Sequence, residues 1–154
     1  MVTYHDGDLL SSGCDMICHQ VNEYGYMGAG IAKQIRAIYP QCYYEYNKYC
    51  QKADRLYGTV YFHKDKNIII ANCFSQVCGR TDIPSLRKVL VELSNYCEKK
   101  KIKTIGIPYR YGSGLAVGDW DEIHRWFKYY FGPSKTELQI WKYNPEKENL
   151  WKRD

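Results

Sequence analysis

The sequence predicts an α/β fold: a mixed, mostly parallel sheet with helices on both faces. Three observations carry this. Short apolar runs alternate with helix-period segments along most of the chain. Two of those runs, Met16-Ile17-Cys18 and Ile105-Gly106-Ile107, are apolar throughout, as strands buried on both faces are. One adjacent pair of runs is joined by a short polar turn, which adds an antiparallel hairpin.

The elements follow in order. Val2-Thr3-Tyr4 is a short first strand, ended by Asp6-Gly7-Asp8. Cys14 to His19 is a second, buried strand. Gly30 to Tyr39 is a helix stopped by Pro40, and Gln41 to Ala53 is another. Thr59 to His63 and Asn67 to Cys73 form the hairpin around Lys64-Asp65-Lys66-Asn67. Asp82 to Lys101 is the longest helix, with Asp82 as cap and Ile83, Leu86, Val89, Leu90 and Leu93 as its apolar stripe. Lys103 to Ile107 is a buried strand ending at Pro108, Asp119 to Phe131 a helix, and Glu137 to Tyr143 the last strand. Residues 1–144 make one domain; 145–154 read as a polar tail despite Trp151.

Composition narrows the function classes. A chain of 154 residues, 45% hydrophobic and 25% charged, fits one soluble globular domain. No apolar run reaches the ~20 residues of a membrane helix, so no membrane partner is expected. The N-terminus lacks a secretory pattern, and seven scattered cysteines, an odd number, read as reduced core thiols. A cytoplasmic location follows as an expectation. No Cys/His spacing suits a metal, and no cofactor is expected. The net charge of +5 suits an anionic ligand. Lys99-Lys100-Lys101 with Lys103 reads as the solvated end of a helix, where cations suit the dipole, and no sequence-specific nucleic-acid contact is assigned to it. Among 16 tyrosines, Tyr43, Tyr44, Tyr46 and Tyr49 fall on more than one face of one helix, so some are exposed.

Two glycine loops point to a ligand. The first, Gly25-Tyr-Met-Gly28-Ala-Gly30-Ile31-Ala32, leaves a buried strand and enters a helix. Glycine lets the backbone approach a ligand closely, and the helix N-terminus offers free N–H groups and a positive dipole end, which together cradle phosphate. It is neither a dinucleotide fingerprint nor a Walker loop. The second, Tyr109 to Gly118, carries Gly112, Gly114 and Gly118 between another buried strand and helix. Two such loops on adjacent strands can hold a diphosphate between them. In α/β sheets, ligands sit at the carboxyl ends of strands, where Asp8 also falls.

Gly7-Asp-Leu-Leu10, Asp15 to Asn22, Met27-Gly-Ala-Gly-Ile-Ala32, Ile107-Pro108, Gly112-Ser-Gly-Leu115 and Gly118-Asp-Trp120 together resemble the macro domain family, from about Thr3 to Tyr143. The likeness is greatest to the branch with terminal ADP-ribose protein glycohydrolase, DNA ADP-ribosyl glycohydrolases and ADP-ribose-1''-phosphate phosphatase. The resemblance implies a three-layer α/β/α sandwich with ADP-ribose, or an ADP-ribosylated macromolecule, in a cleft at the sheet's C-terminal edge. It implies that Asp8 binds the adenine amino group and the Leu9 backbone its ring nitrogen. Asn22 is expected on the distal ribose. Met27, Gly28, Ala29, Gly30, Ile31 and Ala32 would wrap that ribose and one phosphate, with Gly112, Ser113, Gly114, Leu115 and Ala116 on the other side of the diphosphate. One of Trp141 and Tyr143 is expected beside adenine.

Departures bear on chemistry. The glycohydrolase branch uses a lysine just after the strand that here ends in Ala71-Asn-Cys-Phe-Ser-Gln76, yet there is no lysine between Lys66 and Lys88. The branch's aspartate after Gly-x-Gly-Leu is Ala116. Asp119 is either a replacement acid or the cap of the next helix. His19, three residues before Asn22, matches a feature of the phosphatase branch and is expected, with Asp119, to act in removing phosphate from ADP-ribose-1''-phosphate. The alternatives are a non-catalytic ADP-ribose reader and an ADP-ribosyl hydrolase that needs no lysine. Gln76 and Arg80 are further polar candidates; Ser113 and Cys18 lack the partners of a nucleophile.

Overall fold

The computed structural model describes residues 1–143, so the expected tail at 145–154 lies outside the described residues. Among these, eight strands and four α-helices alternate: β1 (Val2–Asp6), β2 (Met16–Gln20), α1 (Gly30–Ile38), α2 (Pro40–Lys52), β3 (Val60–Lys64), β4 (Ile69–Cys73), β5 (Gln76–Val77), β6 (Arg80–Thr81), α3 (Ile83–Lys100), β7 (Thr104–Pro108), α4 (Trp120–Phe131) and β8 (Glu137–Lys142). A short 3-10 turn, Leu9–Ser11, follows β1.

Six strands form one sheet in the order β1-β8-β7-β2-β4-β3. Every neighbouring pair is parallel except β3 with β4. The predicted hairpin is therefore the single antiparallel step, at one edge. Each apolar strand is covered on both faces. Met16, Cys18, Ala71, Cys73, Ile105, Ile107, Leu138 and Ile140 pack with Leu86, Leu90 and Leu93 of α3 and Ile123, Phe127 and Phe131 of α4. Val21, Ile70 and Phe74 pack with Ile35 of α1 and Cys42 and Tyr46 of α2. The architecture is the three-layer α/β/α sandwich.

Local chemistry sets the helix ends. Asp82 caps α3, its carboxylate accepting from the Ser85 N–H at 3.0 Å. Pro40 both ends α1 and opens α2, because its fixed φ and missing N–H suit the first helical turn. At the far end of α3, Lys101 takes the left-handed conformation (φ 54°), and its N–H and that of Ile102 return to Cys97 and Glu98 carbonyls. The sequence gives no sign of the β5–β6 hairpin. It holds two residues per strand, too few for a period-2 pattern.

Candidate functional site

β2 and β7 lie side by side (Met16 beside Ile105, Ile17 beside Gly106), so both glycine loops rise from adjacent parallel strands at the same sheet edge. Along that edge stand the turn after β1 with Asp8, the end of β8, the loop after β7, the loop after β2 and the end of β4. At ~4.8 Å per strand, the run from β1 to β4 spans about 19 Å, an edge long enough for an extended ligand.

In the first loop, α1 starts at Ala29 with no side-chain cap, and the first intrahelical bond shown is Lys33 N–H to the Ala29 carbonyl. The N–H groups ahead of Lys33 therefore point outward with the positive end of the dipole. Gly28 and Gly30 are exposed, and a Cβ on either would meet no protein atom within 4 Å. The space they leave open lies outside the protein, as a ligand-facing backbone requires. Asn22 builds the loop's base. Its Oδ1 accepts from the N–H groups of Tyr24 (3.0 Å) and Tyr26 (3.3 Å) and from the Tyr46 hydroxyl (2.9 Å), while Nδ2 donates to the Tyr26 carbonyl (2.9 Å). Met27 is buried against the α1–α2 layer, and Ile31 and Ala32 pack partly against it; these three shape the loop from behind.

The second loop is closed by Gly118 N–H to the Gly112 carbonyl at 2.9 Å. Ser113 turns back to the Arg110 carbonyl (2.7 Å), Ala116 is buried with its carbonyl accepting from Thr81 N–H, and Gly114 and Leu115 face solvent. Gly112 has φ +71°, and a Cβ there would strike Thr81 and Gln20.

A partly buried polar knot ties the end of β2, from which the first loop leaves, to the second loop. The Gln20 Oε1 accepts from Ser75 Oγ (2.7 Å), and its Nε2 donates to Thr81 Oγ1 (3.2 Å). Ser75 Oγ bonds the Tyr111 hydroxyl (2.6 Å), and Thr81 Oγ1 donates to the Gly112 carbonyl. Sequence reasoning missed these four side chains. The available signal was the alternation of a strand, which sends Gln20 to the face opposite His19.

The expected acid–base pair is not brought together in the cleft. His19 is fully buried, on the α2 side of β2. Its Nε2 donates to Asn72 Oδ1 at 2.7 Å, Asn72 Nδ2 donates to the Tyr61 carbonyl at 3.0 Å, and His19 Nδ1 has no partner. Burial drives its pKa down to about 4, against a raising effect of the Asn72 bond. Such a histidine is neutral at physiological pH and presents no surface to solvent. Asp119 is exposed and caps α4, accepting from Asp121 N–H at 3.0 Å, so the cap alternative is the one the structure shows.

The segment where a lysine was sought also turns inward: Asn72 holds His19, Phe74 is buried, and Ser75 belongs to the knot. Asp8 caps the 3-10 turn, accepting from Leu10 N–H (3.0 Å) and Ser11 Oγ (3.3 Å), while Leu9 is buried. Trp141 stacks on His5 (4.8 Å between centroids) and borders Gly7; Tyr143 is exposed at the end of β8. Gln76 lies half-buried in β5, and Arg80 is exposed in β6.

The Macro domain family model matches residues 18–126, which spans both glycine loops and the knot. The chain belongs to the macro domain family. Several relatives of this macro domain are informative. The DNA ADP-ribosyl glycohydrolase of Mycobacterium tuberculosis is 25% identical over 131 residues, covering 81% of this chain but 37% of the relative, so the macro domain spans little over a third of that protein's length. An uncharacterized 17.5 kDa protein of Enterobacteria phage T4 is 29% identical, with 94% of this chain and 98% of the phage protein covered. Among solved structures, the macrodomain of Mycobacterium tuberculosis DarG has a TM-score of 0.83 at 24% identity, covering 92% of this chain and 97% of that one. Thermosipho africanus DarTG in complex with ADP-ribose has a TM-score of 0.80 at 19% identity, covering 94% of this chain and 42% of that one. These likenesses establish the shared fold. No helix among the described residues is long and apolar enough to cross a membrane.

The buried histidine sets a pH dependence. Its folded pKa lies below the ordinary value, so the unfolded chain takes up the proton first as pH falls. The stability is present in full above about pH 6.5 and is lost towards pH 4, by about 3 kcal/mol in all. Urea denaturation of wild type and His19→Gln between pH 7 and pH 4 measures this; the variant's stability is expected to fall less steeply over that window.

Proposed function

We propose that this macro domain binds ADP-ribose along the C-terminal edge of its sheet and hydrolytically releases it from a macromolecular adduct. The observation that carries the binding is the uncapped N-terminus of α1, flanked by exposed Gly28 and Gly30 and faced by the second glycine loop from the neighbouring strand. Backbone N–H groups of that turn would receive one phosphate, and the Gly112–Ala116 backbone the other. Asp8 and Leu9 would sit at the adenine end, with Tyr143 or Trp141 beside the base. Tyr143 is the freer of the two aromatics, since Trp141 is already stacked.

The DNA ADP-ribosyl glycohydrolase relative directs the choice of adduct to ADP-ribosylated DNA. The reaction would be attack of water at the anomeric carbon of the distal ribose. The bond to the base breaks with its electron pair leaving to the base, and the water's proton follows. With no lysine between Lys66 and Lys88 to form an adduct, the domain's share is to hold ADP-ribose with its diphosphate hydrogen-bonded by loop N–H groups and the distal ribose oriented by the loop that Asn22 braces. Phosphate release from ADP-ribose-1''-phosphate, the expectation built on His19 and Asp119, is the weaker reading of the site, because one residue is sealed in the core and the other is a cap.

Two experiments test this. Calorimetric titration with ADP-ribose is expected to show one site. Ala29→Asp then separates function from folding: aspartate is a good helix cap, so stability holds or rises by about 0.5–2 kcal/mol. Its carboxylate would occupy and repel in the phosphate cradle, so ADP-ribose affinity is expected to fall at least about tenfold. Unchanged affinity would place the phosphates elsewhere.

For the chemistry, purified protein is incubated with an ADP-ribosylated DNA oligonucleotide, a glutamate-linked ADP-ribosyl peptide and ADP-ribose-1''-phosphate. ADP-ribose release from the oligonucleotide is expected. Binding with no release from any substrate would make the domain a reader, and phosphate release alone would restore the phosphatase reading.

A further inference from the structure

The sheet edge opposite the cleft carries a second feature that the ADP-ribose reading leaves unused. The β3–β4 turn and the α3–β7 connection meet there around an open groove of about 430 Å³, into which Lys64 and Lys66 enter from one side and Lys101 and Lys103 from the other. A second hollow of about 730 Å³ adjoins it through the same Lys101 and Lys103 and adds Lys135 and Tyr130.

The helix dipole accounts for lysines at the end of α3, but not for Lys64 at the end of β3 and Lys66 in the turn after it, 35 or more residues before Lys101. Three acids border the two hollows: Asp15 and Asp65 in the first and Glu98 in the second. Asp15 accepts from the N–H groups of Lys103 and Thr104 (3.1 Å each), and Asp65 accepts from Lys66 N–H (2.8 Å) and faces His63 at 3.5 Å. None of the groove lysine side chains is paired with a carboxylate among the described residues. Four exposed lysines thus gather from two distant segments against two carboxylates, Asp15 and Asp65, which leaves the groove with an excess of positive charge, and Lys99 and Lys100 add two more in the last turn of α3.

We infer that this basic trough is a non-sequence-specific contact for the phosphodiester backbone of a nucleic-acid strand, separate from the cleft and independent of what the cleft does. Lysine is a flexible point charge that suits phosphates without fixed register. The shape favours a strand over a membrane surface. The ammonium groups border a concave channel whose floor includes Ile68, Ile69 and Ile102, which sugars and bases can reach and a flat bilayer cannot. Held this way, an unmodified stretch of nucleic acid would keep the protein near its partner without occupying the ADP-ribose site.

The test is fluorescence anisotropy of a 5'-labelled 20-nucleotide thymidine strand with the full chain at several salt concentrations. Binding in the micromolar range at low salt is expected. With four or five phosphates neutralised, the slope of log K against log salt should be about −3. Lys64→Glu/Lys66→Glu/Lys101→Glu/Lys103→Glu is expected to weaken binding at least about tenfold and flatten that slope. The corresponding four-glutamine variant, which adds no negative charge, should do so less steeply. Both should keep the wild-type melting temperature and ADP-ribose titration, which reports on the cleft alone. No strand binding by wild type at low salt, or binding by both variants as tight as wild type's, would overturn the inference. So would displacement of the strand by saturating ADP-ribose, which would place it in the cleft, or capture by phosphatidylserine vesicles without strand binding.

Discussion

The cleft depends on one side-chain amide. Gln20 ends the central strand β2 and bonds at once to Ser75 beyond β4 and Thr81 of β6. Through Ser75 and Thr81 it reaches Tyr111 and Gly112 in the loop after β7. Three segments distant in sequence are fixed to one another there. A polar group buried without a partner is costly, so the members of such a network hold together or fail together. Glycine at 112 is required by the same packing, since a Cβ would fall on Thr81 and Gln20. The backbone of the second glycine loop is thus held by a frame of side chains set behind it.

The neighbouring residue shows how sharply strand alternation divides roles. His19 and Gln20 are consecutive and both polar, yet one faces α2 and the other the α3–α4 side. Because β2 is covered on both faces, neither side of it is open to water except beyond its end. Histidine at this place ties β2 to β4 through Asn72, a link between two central strands made by side chains as well as by the ladder. A group that looks chemically capable in the sequence is, in the folded chain, part of the wall.

Much of this was legible before folding. The buried strands, the order of helices, the hairpin and both glycine loops follow from apolar periodicity and from glycine placed between strand and helix. The caps at Asp82 and Asp119 follow from an acid ahead of a helical stripe. What was not legible has a common cause. Whether His19 opens to the cleft or the core depends on which helix covers which face, a tertiary fact absent from local pattern. The Ser75–Tyr111 bond joins residues 36 apart, and the β5–β6 hairpin is too short to show a period. Asn22 was expected to touch ribose, and the structure places it at the base of the first glycine loop. Its Oδ1, however, is saturated by three donors within the protein, so it braces the loop.

The hairpin that escaped the sequence reading also carries the chain's one fully exposed thiol. Of the seven cysteines, Cys78 alone is exposed; the others are buried or half-buried, and several have thiols raised by burial. Cys78 stands at the hairpin tip with its N–H donating to the Glu23 carboxylate beside Asn22 (3.2 Å). Cys78 is thus the most open attachment point for a maleimide dye, beside the base of the first glycine loop. A fluorophore there would watch the first glycine loop directly, with half-buried Cys50 the one other partly open thiol.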